Sequence, residues 1–84
     1  MAGHPAAVVA AAARALVDHP DEVVVSETVH RGVTVLALLV APADVGKIIG
    51  RHGRTADALR ALVAATAHHH GVKATLEIRG QDVR

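Results

Sequence analysis

The residues able to do chemistry gather in one stretch, DVGKIIGRHGRT, from Asp44 to Thr55. It holds three glycines (Gly46, Gly50 and Gly53), three permanent cations (Lys47, Arg51 and Arg54) and one histidine, His52. Gly50 and Gly53 bracket Arg51 and His52 as G-x-x-G. Two glycines so close together allow backbone angles barred to other residues and keep side chains off the main chain. If a helix begins just after Gly53, its first amides face outward with a partial positive dipole behind them. That arrangement receives phosphate. From Asp44 to Arg60 there are four Lys or Arg against two Asp, so the local charge is positive although the 84-residue chain carries only +1.

Other chemistries fit poorly. The Walker pattern G-x-x-x-x-G-K-[ST] is absent, and Gly46 and Gly50 are four apart, which does not satisfy the dinucleotide pattern G-x-G-x-x-G. Gly46 is instead expected to permit close packing within its own helix. No Ser/His/Asp or Cys/His constellation is present, and the carboxylates are scattered, so no catalytic residue and no enzyme is expected. Cysteine is absent, which removes disulfides and thiolate metal sites. His68, His69 and His70 are consecutive, and neighbours on a helix point about 100° apart, so they cannot converge on one ion. Neither a metal nor another cofactor is expected. Phe, Tyr and Trp are also absent, which argues against RRM-like or OB-like readers that stack bases on aromatic rings. No apolar run approaches the ~18 to 20 residues that span a bilayer. The first twenty residues lack a basic start, and Arg14 interrupts their apolar run, unlike a secretory signal. A cytoplasmic protein with no membrane association is expected.

The elements that must position the motif follow from periodicity. Pro5 to Val17 reads as a helix with Val8, Val9, Ala12, Leu16 and Val17 on its stripe, ended by DHPDE (Asp18 to Glu22) because Pro20 restricts the residue before it. EVVVSETV and VTVLALLV then read as two strands joined at Arg31-Gly32 in a tight hairpin turn. Pro42 opens a short helix, with Asp44 near its positive end, and this helix stops at Gly50. A long helix follows Gly53, with Leu59, Leu62, Val63 and Thr66 at the spacing of a buried stripe, and Gly71 stops it. VKATLEI alternates as a last strand, with Val72, Ala74, Leu76 and Ile78 on one face. The order is α-β-β-α-α-β in one domain over 1–84, with an ordered core of about 5–79. The crossover makes the second and third strands parallel and the hairpin makes the first two antiparallel. The expected class is α+β, a three-stranded mixed sheet with helices on one face.

An aliphatic pair, Ile48-Ile49, followed by G-x-x-G between two helices of such a chain resembles the KH domain, in its type II, bacterial variant. VAPADVGKIIGRHGRTADALRALV and LVDHPDEV extend the likeness to the small single-KH RNA-binding proteins of bacteria, over about Val8 to Ile78. The resemblance implies single-stranded RNA binding, with the loop clamping the backbone of about four nucleotides and the bases in an aliphatic groove. It implies RNA-binding roles for Gly50, Arg51, His52 and Gly53, for Lys47 and Arg54 beside them, and for Val45, Ile48 and Ile49 in the helix before the loop. Adjacent helical residues cannot share a face, so at least one isoleucine belongs to the core. Ala56 stands where the general KH pattern has a bulky aliphatic, which implies a shallower groove. The resemblance further implies an RNA chaperone or post-transcriptional regulator, homodimers, and a heteromer with a larger KH-containing protein.

Three residue-level expectations remain. Arg60 can pair with Asp57 along its helix. His52, inside the loop, gains charge in mild acid and should then bind phosphate better. On the middle strand Leu36, Leu38 and Val40 are expected to face the helices, as the resemblance favours. Val35, Ala37 and Leu39 then form an apolar strip on the open side, of the kind that receives a partner. An alternative function follows from that strip: a protein–protein interaction module that acts mainly by dimerisation or through a KH-containing partner.

Overall fold

The computed structural model describes residues 4–81. Residues 1–3 and 82–84, and with them the two ends of the expected 1–84 domain, lie outside the described residues. The elements run α1 (His4–Leu16), β1 (Val24–His30), β2 (Val33–Val40), α2 (Val45–Ile49), α3 (Arg54–His69) and β3 (Lys73–Gly80). Single 3-10 turns at Pro20–Glu22, Pro42–Asp44 and Arg51–Gly53 precede β1, α2 and α3. The first of these occupies the chain where a strand starting at Glu22 is expected, which moves β1 two residues on. Helix α1 likewise stops one residue short of Val17, and β3 begins after Val72.

The sheet has the order β1-β2-β3, with β1 antiparallel and β3 parallel to β2. His30 pairs with Val33, so the hairpin turn holds only Arg31 and Gly32, at φ 52° and 78°. Two consecutive positive φ values make the mirror-image turn whose twist matches that of paired strands.

All the helices pack on one face. Leu36, Leu38 and Val40 on β2 are completely buried there, against Val9, Ala13, Ile48, Leu59, Val63 and Leu76. The core is wholly aliphatic. At about 25 cal/mol per Å² of apolar surface, each such side chain contributes roughly 1.5–3 kcal/mol by burial. Register puts Val24, Ser26, Thr28 and His30 of β1 beside Leu39, Ala37, Val35 and Val33 on the opposite face. Thr75, Glu77 and Arg79 of β3 border that face on the other side.

The helical stripes differ from expectation in detail. Helix α3 buries Ala56, Leu59, Val63 and Ala67, while Leu62 stays 41% exposed. The core row therefore steps by three and then by four and four, and Leu62, about 100° from Val63, falls outside it. Thr66 is half-buried, and its hydroxyl donates to the Leu62 carbonyl at 2.8 Å. In α1 the buried residues are Pro5, Val9 and Ala13, and Leu16 is 43% exposed. Alanine at 13 and 67 lets helices and sheet approach closely, which a search for large apolar residues overlooks. Val72 lies outside β3 and is exposed.

Candidate nucleic-acid interface

The connection between α2 and α3 is built by three positive φ angles in four residues. Gly50 has φ 77° and ψ 173°, His52 has φ 57° and ψ 23°, and Gly53 has φ 73° and ψ 11°. The first of these combinations is essentially reserved for glycine. Gly50 is also required by contact: a Cβ there would lie 2.2 Å from Thr55 Oγ1 and 2.6 Å from Thr55 Cβ. Gly53 would meet nothing within 4 Å, so its role is conformational. His52 adopts the left-handed region without being glycine, a local strain of order 1–3 kcal/mol that concentrates at functional sites. Backbone bonds pin the turn, with Gly50 N–H donating to the Gly46 carbonyl at 2.9 Å and Gly53 N–H to the Gly50 carbonyl at 3.1 Å.

Helix α3 then begins with Gly53 at its N-cap, where no side chain accepts from its first amides. Arg54 is the first residue of this helix, a cation at the positive end of the dipole, which is unfavourable until an anion arrives. Arg51, His52 and Arg54 are exposed, and among the described residues neither arginine has an ion-pair partner. Asp57, the one acid of the first turn, faces Arg60 at 3.6 Å. The Arg54 N–H, the first amide of α3, donates to the Arg51 carbonyl, so what the loop presents is two exposed guanidinium groups without an ion-pair partner among the described residues, which suit a phosphate diester.

The residues before the loop divide. Ile48 is completely buried and Ile49 is 36% exposed. Ile48, expected among the ligand-facing residues, thus presents no surface to a ligand and instead fixes α2 to the core. Val45 is half-buried and packs at the edge of the core. Ala56 is buried. Gly46 is exposed and a Cβ on it would meet nothing within 4 Å. Close packing does not explain this glycine.

Lys47 is turned to a different partner. Its Nζ lies 2.9 Å from Asp18 Oδ2 and 3.9 Å from Asp44 Oδ1. Pairing with Asp18 holds the lysine pKa above its ordinary value. Asp44, read in the sequence only as a favourable charge at a helix start, is completely buried. It accepts from the backbone N–H of Asp18 at 3.2 Å and of His19 at 3.0 Å, and lies 3.1 Å from His19 Nδ1. The bond to Asp44 raises the His19 pKa above its ordinary 6.5. Burial pushes the Asp44 carboxyl up, but the His19 ring and the two backbone amides outweigh it and hold it below its ordinary value. These partners lie 25 and 26 positions away, and no local spacing reveals them.

Among the described residues, no three His, Cys, Asp or Glu side chains assemble into a group able to hold a metal ion. None of their helices is long and apolar enough to cross a membrane.

A mixed three-stranded sheet covered on one face by helices, with G-x-x-G joining the last two of them, defines the KH domain in its type II order. The family model described as KhpA/KhpB, KH domain, matches residues 6–78, and the chain belongs to this family. It is similar to the RNA-binding protein KhpA of Treponema pallidum, with 53% identity over 66 residues, 79% of this chain and 82% of the relative. The proteins of the same name from Halalkalibacterium halodurans and Clostridium acetobutylicum are 48% and 46% identical over the same share of this chain, covering 87% and 88% of the relatives. No solved structure matches the chain.

Proposed function

We propose that the chain binds single-stranded RNA, with the loop from Gly50 to Gly53 receiving the phosphate backbone. The observation that carries this reading is the start of α3, which no side chain caps, opened by two glycines and flanked by Arg51 and Arg54, both exposed and without an ion-pair partner among the described residues. Membership of a family whose relatives are named RNA-binding proteins supports it. Arg51 and Arg54 supply charge, His52 offers a ring nitrogen inside the loop, Lys47 adds charge if it leaves Asp18, and Ile49 with Val45 offers aliphatic surface to the bases. Catalysis is not part of this role. The chain acts in the cytoplasm as an RNA chaperone or post-transcriptional regulator. One KH unit has a small footprint, so useful affinity comes from a second module, by homodimerisation or by pairing with a KhpB-like protein.

The test is fluorescence anisotropy with labelled single-stranded RNA, comparing wild type with the double variant Arg51→Asp/His52→Asp. Two acids at the phosphate position should abolish binding while the circular dichroism spectrum is unchanged. Comparable affinities would overturn the RNA assignment.

One observation favours a second reading, an interaction module. The open face of the sheet carries Val24, 50% exposed, beside the half-buried Val35, Ala37 and Leu39. If this face is the functional surface, the double variant keeps its partner and loses nothing.

A further inference from the structure

The strongest polar cluster outside the loop lies just before it, with Lys47 about one helical turn and Asp44 nearly two turns ahead of Gly50. Asp44 immediately precedes α2, yet its side chain caps no amide of that helix. Its two oxygens reach across the molecule to the connection between α1 and β1. Oδ1 accepts from Asp18 N–H, and Oδ2 from His19 N–H with His19 Nδ1 beside it. Lys47, in the middle of α2, closes the circle by pairing with Asp18. A buried carboxylate is tolerated only when it is paired and hydrogen-bonded, and this one meets both conditions through a single segment.

Helix α2 has five residues, far below the ~12–15 at which a helix holds itself together in water. Its position therefore depends on what grips it. Ile48 grips it from the apolar side. Gly80 at the end of β3 lets Val45 come close, since a Cβ there would lie 3.2 Å from Val45 Cγ2. The polar grip is the Asp44 cluster. Whatever orients α2 also orients Gly50, which follows it directly.

We propose that Asp44 is the positioning residue of the G-x-x-G loop, holding α2 and Lys47 against Asp18 and His19 most firmly when His19 carries a proton. The proposal rests on the RNA-binding reading above. The charged groups facing His19 are Asp44, Asp18 and, from the turn before β1, Glu22; Lys47 faces the same two aspartates from α2. With His19 protonated, the two aspartates are balanced by Lys47 and His19. Without that proton the set carries one net negative charge, with Asp44 about 9 Å of helix rise before Gly50 and Glu22 adding to it. Negative charge there opposes a phosphate, and the bond from the His19 ring to Asp44 loses its charge assistance. The raised His19 pKa places this change on the neutral side of 6.5, and Asp44 is the main cause of that rise.

The experiment uses the full chain and labelled single-stranded RNA, with affinity measured from about pH 6 to about pH 8 at constant ionic strength. Wild type, His19→Gln, His52→Ala and Asp44→Asn are compared, and amide hydrogen exchange of 46–49 is followed in each. Wild type should lose affinity several-fold as pH rises. His19→Gln should flatten the profile, leaving only the part that His52→Ala removes. Asp44→Asn should bind more weakly throughout and exchange its α2 amides faster, with the β2 amides unaffected. A His19→Gln profile that coincides with wild type overturns the proposal, as do unchanged α2 amides in Asp44→Asn. Absence of RNA binding by wild type at every pH overturns the RNA reading instead, and the exchange data then still decide whether Asp44 positions α2.

Discussion

The Thr55 side chain occupies the space that a side chain on Gly50 would need: its Oγ1 lies 2.2 Å from where that Cβ would stand. Gly53 has no such neighbour, so the two glycines of one motif are required for different reasons. Alanine at Gly50 meets both a forbidden backbone region and a clash, and should cost about 2 kcal/mol or more. Alanine at Gly53 meets only the left-handed penalty, about 1 kcal/mol. Alanine at Gly46, a helical position with open space, should be neutral or stabilise by up to about 1 kcal/mol. Urea unfolding of the three single variants reads this order directly. Equal losses at Gly50 and Gly53 would contradict it.

Ile48 and Ile49 offer a second separation. Ile48→Ala removes a fully buried side chain from the core and should cost about 2–5 kcal/mol. In a domain this small that is a large share of its stability. Ile49→Ala, at a partly exposed position, should change stability by no more than about 0.5 kcal/mol yet weaken RNA binding. Thermal melts and anisotropy on the same two proteins check it. A binding loss confined to Ile48→Ala would remove Ile49 from the interface.

These two cases also mark where sequence reading stops. The alternation from Val33 to Val40 separates Leu36 and Leu38 from Val35 and Ala37, but both sets are apolar, and only the KH resemblance turns the first set toward the helices. The G-x-x-G spacing locates the break between α2 and α3 because glycine there is a backbone signal. Leu16 and Leu62 mislead, since a helical stripe fitted to large apolar residues misses one completed by Ala13 and Ala67. The reason for Gly50 is hidden in Thr55, and that for Asp44 in Asp18 and His19, because contacts across folded space leave no periodic trace.

The open face of the sheet carries the third prediction. Leu39 sits between Val24 and Arg79 in one row, and Ala37 between Ser26 and Glu77 in the next, an apolar strip bordered by polar groups. If the chain associates with itself through this face, Leu39→Glu places two buried charges against each other in the dimer. Sedimentation should then shift toward the monomer mass while the spectrum of the fold is unchanged. A dimer that survives Leu39→Glu rules out this face.

The last prediction concerns stability and pH. The Asp44 pKa is lower in the folded chain than its ordinary 3.8, so its contribution is present above that value and is lost as pH falls through the folded one. His19 behaves oppositely. Its folded pKa lies above 6.5, so its contribution is complete below 6.5 and is lost as pH rises through the folded value. Both contributions are complete only between about 3.8 and 6.5. The stability difference between wild type and Asp44→Asn should therefore be largest in that window. It should shrink on the acid side as Asp44 itself takes a proton, and on the alkaline side as His19 gives one up. Denaturant unfolding at several pH values follows the difference directly. A difference that stays constant as pH rises through the folded His19 value, while still shrinking in acid, would mean that Asp44 acts through its backbone acceptor bonds alone, and that the proton on His19 is irrelevant to how firmly α2 is held.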